Sequence, residues 1–253
     1  MTRSTHRTIF GAVAVSLALL VSACGTSGGS EADPDEKTTT TEAPDEATTT
    51  TAAEDDGGDE AAAQERADSI DLDTSDFPDG WEGTPADDPD EESPLNDCDP
   101  ALGDRSTQLA RHATDDFSIG SFEDGDGTQF TARTVVFEDE AAAEAAVAPF
   151  SDPDVLSCID ETLKSAYSST GEGVTVEGEL EVGDAEFDVD ETLTLSATYT
   201  VSAPDGSSLD INLGVLVLRT GDIATNVVVQ TVDPDFDVSS LPIDTLVEQL
   251  NAA

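Results

Sequence analysis

The sequence predicts an α+β domain: an antiparallel sheet of about six strands with helices packed on it. Three observations carry that prediction. Apolar and polar residues alternate strictly over 174–182 and 193–203, the period of a strand with one face buried and one wet. Hairpin turn signals punctuate the apolar runs at Asp124-Gly125-Asp126-Gly127, Pro204-Asp205-Gly206 and Gly221-Asp222. Two further stretches, Val155, Ile159, Leu163, Tyr167 and Ile243, Leu246, Val247, Leu250, repeat at helical spacing instead.

The composition changes at about Ile70, and residues 70–253 are long enough to bury one core. Asp76-Phe77-Pro78-Asp79-Gly80-Trp81 opens the domain with a Pro/Gly turn, and Trp81 is most simply a core residue. Residues 83–97 are acidic and proline-punctuated, a loop. Asp99-Pro100 starts a helix expected to run to His112, with Leu102, Leu109 and Ala110 on one face. His112 would sit near its C-terminal end, where a cation favours the negative pole.

Residues 117–122 and 129–138 read as a hairpin around the Asp-Gly turn. Asp139 caps an alanine-rich helix that Pro149 ends, and Pro153 opens the next one. Four strands follow, over 174–182, 193–203, 209–218 and 223–232. The runs 215–218 and 227–229 are apolar on both faces, so these two strands should be central and covered twice. Pro242 opens the final amphipathic helix.

The first 23 residues are of a different kind. Arg3, His6 and Arg7 precede an apolar run over 9–21, the layout of a secretory signal. About 13 apolar residues fall short of the roughly 20 that span a bilayer. The run ends in Leu20-Val21-Ser22-Ala23-Cys24, which resembles the lipobox of bacterial lipoproteins. That resemblance implies cleavage before Cys24, a diacylglyceryl group on its thiol, and attachment to the extracytoplasmic face of the cell membrane. Residues 24–69 then read as an acidic, Thr-rich tether holding 14 acids, two basic residues and no aromatic. Inside it, residues 31–41 and 42–51 form a loose low-complexity duplication.

Charge limits the possible partners. The chain carries 57 Asp+Glu against 9 Lys+Arg. Removing residues 1–23 takes away two of the basic residues and no acid, leaving 7 minus 57, a formal charge of −50. Such a surface repels phosphate backbones and anionic headgroups, which excludes nucleic acid and makes the lipid the anchor.

The chemistry-bearing residues point away from catalysis. Gly25-Thr26-Ser27-Gly28-Gly29 fits a nucleophile-elbow pattern literally but has no strand before it and no helix after it. The acids from Asp233 to Asp237 lack the glycine and terminal glutamate of a calcium loop. Cys98 and Cys158, an even pair in an exported domain, read as one disulfide. With His112 the only other soft ligand, they fall short of a zinc shell, so no metal or cofactor is expected.

Taken together, the domain resembles the PknH-like extracellular sensor domains and related actinobacterial lipoproteins. The resemblance rests on the lipobox and tether, residues 77–81, the pair Cys98 and Cys158 joining two early helices, and the Ala-rich helix after Phe137-Glu138-Asp139. It rests also on Leu218-Arg219-Thr220-Gly221-Asp222 before the last strand and helix, and it spans most of residues 70–253. LpqN-like lipoproteins are the next resemblance. What this implies is a cleft for an unidentified extracytoplasmic small molecule or envelope protein, without catalysis. The alternatives are an envelope spacer, in which the acidic surface itself matters, and a carboxylate-based hydrolase.

Overall fold

The computed structural model describes residues 56–86 and 94–253; the signal segment, Cys24 and the tether up to residue 55 lie outside the described residues. Among the described residues, nine strands form one antiparallel sheet: β1 (Glu82–Thr84), β2 (Gln108–Ala113), β3 (Asp116–Ile119), β4 (Thr128–Phe137), β5 (Thr175–Glu177), β6 (Leu180–Gly183), β7 (Glu191–Ser202), β8 (Ser208–Thr220) and β9 (Ile223–Thr231). Their order is β1-β3-β4-β9-β8-β7-β5, with β2 also on β4 and β6 also on β7. The α+β class is as predicted and the strand count is larger. β1 and β2 add to the six expected strands, and the expected strand over 174–182 is split in two.

The split has a local cause. β5 and β6 pair with β7 in one continuous register, Glu177 opposite Thr200 and Leu180 opposite Ala197. Between them Gly178 adopts φ 145°, and a Cβ there would collide with the Thr198 carbonyl oxygen. The backbone lifts off the ladder at this point, and the Leu180 N–H donates to Asp160 Oδ1 at 3.1 Å instead.

Helices cover both faces. On one face lie α2 (Glu140–Val147), capped by Asp139 accepting from the Ala142 N–H at 2.8 Å, and α3 (Pro153–Ser168). Val155, Ile159, Leu163 and Tyr167 of α3 pack on Leu195, Tyr199, Leu213 and Val215 of the sheet, as their spacing predicted. On the other face lie α4 (Ile243–Ala252) and α1 (Asp56–Asp68), with Phe77, Trp81, Phe117 and Phe130 stacked beside them. Every residue of β9 is buried, so the strand predicted to be covered twice is covered twice.

Two expectations are corrected. The helix expected over residues 99–112 is a single 3-10 turn, Pro100–Gly103, followed by β2. Its start was read correctly, since Asp99 caps it by accepting from the Ala101 N–H at 2.7 Å. It stops at Gly103, and residues 108–113 are claimed by pairing with β4, Arg111 opposite Val135.

The second correction is at the tether. Its last part is α1, which belongs to the domain: Ala63 and Ala67 are buried against the sheet and Arg66 binds Asp222 through two hydrogen bonds of 2.6 and 2.8 Å. That pairing holds the Asp222 carboxyl below its ordinary range, chiefly through the hydrogen bond from Arg66. The stability it contributes is present above pH 3.8, the unpaired value, and is lost as pH falls through the lower folded value.

Candidate ligand-binding cleft

Where α2 crosses the sheet, the packing leaves a small cavity of about 40 Å³ that opens to solvent. Its floor is Val135 and Phe137 of β4, Val217 of β8 and Ala224, Thr225 and Asn226 of β9. Ala146 and Val147 of α2, with Phe150 just after it, form one wall. Ala101 and Leu102 of the 3-10 turn form the other, with Gln108 of β2 at the end. A mainly apolar lining with a few placed polar groups is the usual make-up of a small-molecule site.

Two of those polar groups are unsatisfied. Asn226 is 7% exposed, and its Nδ2 meets no acceptor among the described residues. Gln108 donates from Nε2 to the Asp104 carbonyl at 3.2 Å, and its Oε1 meets no donor among the described residues. Leaving such groups buried and unpaired costs roughly 1–3 kcal/mol each. Asn226 sits on a central strand, opposite Arg133 on one side and Val217 on the other.

The disulfide shapes the cleft without lining it. Cys98 and Cys158 are bonded, with Cα atoms 5.5 Å apart. Cys98 precedes the turn that carries Ala101 and Leu102, so the bond ties that wall to α3.

On the far side of α3, Asp160 collects three donors: Tyr199 Oη at 2.6 Å, Lys164 Nζ at 2.6 Å and the Leu180 N–H at 3.1 Å. Burial pushes the Tyr167 phenol up to about 12, and Tyr199, 5.5 Å from it between ring centres, is raised further by burial and then by Asp160. A folded-state value above the unfolded 10.0 means that the stabilising contribution is complete below pH 10 and is lost as pH rises through about 12. These are the only two tyrosines in the chain, so tyrosinate absorbance should appear together with alkaline unfolding, followed by circular dichroism, and not before it.

The other residues singled out in the sequence lie elsewhere. His112 is on the opposite face of the sheet, its ring nitrogens 3.2 and 3.0 Å from Asp68 and Asp71. His112 thus joins β2 to α1 and to the segment after it instead of ending a helix. Trp81 is a core residue, 4.8 Å from Phe77 and 6.3 Å from Phe236 between ring centres. Neither is near the cleft. Asn226 and Gln108 were missed, although Asn226 carried a signal: an amide directly before the run 227–229, in a strand expected to be covered on both faces.

Comparison with known proteins adds little. No family model matches the chain, and no curated protein matches it. Among solved structures it is similar to the extracellular domain of PknH from Mycobacterium tuberculosis, at 12% identity and a TM-score of 0.45, over 76% of this chain and 97% of that one. A TM-score below 0.5 falls short of a shared fold, so the site stands on its own residues.

Proposed function

We propose that this chain is a lipid-anchored extracytoplasmic protein whose domain binds a small molecule without transforming it. The observation that carries the reading is the cleft between α2 and the sheet, floored by apolar side chains around Asn226, whose Nδ2 meets no acceptor among the described residues. Anchoring is supported by Val21-Ser22-Ala23-Cys24 after the short apolar run, and by an acid-rich chain that needs a lipid to stay near an anionic bilayer.

Two measurements test the two halves. Cys24→Ala should move the protein from the membrane to the soluble fraction of expressing cells; retention at the membrane sinks the anchor. A solvatochromic apolar dye should bind the domain saturably, and Ala146→Trp, which fills the wall, should weaken that binding at least tenfold. Dye binding that ignores Ala146→Trp rejects the cleft as a binding site.

A further inference from the structure

We propose that the free edge formed by β5 and β6 docks an extended segment of a basic partner protein, one in which lysine or arginine alternates with an apolar residue. β5 and β6 lie at one margin of the sheet and pair with β7 alone among the described strands. An antiparallel pair uses only alternate N–H and C=O groups of each strand, so the others along an edge face outward and can pair with another chain. Asp160 takes up one donor of this stretch, the Leu180 N–H, and no strand among the described residues covers the rest.

The two sides of the edge differ in chemistry. Val176, Leu180 and Val182 lie on the side of α3, opposite Val201, Ala197 and Leu195 of β7. The first two pack against the core, while Val182 is left 59% exposed. Glu177 and Glu181 lie on the other side, opposite Thr200 and Ser196, with Glu179 between them in sequence, and all three are exposed. Alternate residues of a strand are about 7 Å apart, so the carboxylates repeat at the spacing of every second residue of an incoming strand.

Charge decides the occupant. Residues 172–191 hold nine acids and no lysine or arginine, and the nearest cation in sequence, Lys164, is held by Asp160 at 2.6 Å. A second copy of this chain laid along the edge would set glutamate against glutamate, a common way for sheets to keep their margins apart. A strand with basic residues at alternate positions instead places each beside a carboxylate, and its intervening apolar residues fall on the side of Val182. Backbone pairing then supplies the attachment, and the two rows of side chains fix the register.

The test is fluorescence anisotropy at physiological salt, with the full chain in non-ionic detergent and three labelled peptides. One alternates lysine with valine, the second has the same composition with its lysines in one block, and the third is the alternating peptide methylated on alternate backbone nitrogens. The alternating peptide is expected to bind at least tenfold more tightly than either of the others. The triple change Glu177→Gln, Glu179→Gln and Glu181→Gln, and separately Val182→Pro, should each weaken that binding at least tenfold, and their unfolding transitions report that the domain is intact. Equal binding of the alternating and blocked peptides, or binding untouched by the triple change, reduces the attraction to overall charge and overturns the proposal, as does the absence of binding. A concentration-dependent dimer of the chain alone in sedimentation, lost in Val182→Pro, assigns the edge to a second copy and overturns it as well.

Discussion

Replacing Cys98 and Cys158 together by serine is expected to lower the unfolding free energy by about 4 kcal/mol, the chain-entropy value for a loop of this length. The bond joins residues 60 apart in sequence and closes a loop containing the 3-10 turn, β2, β3, β4, α2 and the start of α3. Urea unfolding of the oxidised, reduced and doubly substituted domain measures the effect. The reduced and substituted forms should coincide, and both should bind the apolar dye more weakly, since the wall holding Ala101 and Leu102 is no longer fastened to α3. A shift below about 1 kcal/mol would show that the loop is ordered without the bond.

A domain beginning at residue 70 is expected to be far less stable than one beginning at residue 56, by about 3 kcal/mol or more. α1 lies over β2 and β4, with Ala67 fully buried and Ala63 nearly so. Its loss wets the neighbouring Ile70 and Ala110 and leaves Asp222 without Arg66. It also removes the Arg66 Nε hydrogen bond to the Ala253 carbonyl at 3.1 Å and the contact between His112 and Asp68. Thermal unfolding of the two chains is the comparison, and equal midpoints would return residues 56–69 to the tether.

The sheet was legible because β7, β8 and β9 depend on a short-range pattern, alternation or a doubly apolar run between Asp-Gly and Gly-Asp turns. α3 was legible for the same reason at the other period. β2 was not, because Gln108-Leu-Ala-Arg-His-Ala113 has no β-branched residue and becomes a strand only through β4, which follows it in sequence. α1 was hidden because its buried stripe is two alanines in an acidic segment, which no apolar count separates from a tether. The cleft is a gap between α2 and the strands β4, β8 and β9, the first of which is far from the other two in sequence, so no spacing encodes it. Asn226 is one of several buried polar residues on β9, with Thr225, Gln230 and Thr231, so its polarity alone does not single out the place.

The grip of Arg66 on Asp222 and on the Ala253 carbonyl also has a mechanical meaning. Any tension in the chain upstream of residue 56 enters the domain through α1, and from there Arg66 passes it to the β8–β9 turn and to the C-terminal residue. β8 and β9 are central strands, while the cleft wall lies on the opposite face of the sheet. A pull from upstream of α1 thus reaches β8 and β9, whose Val217 and Ala224 to Asn226 form the cleft floor, before it reaches α2 on the opposite face.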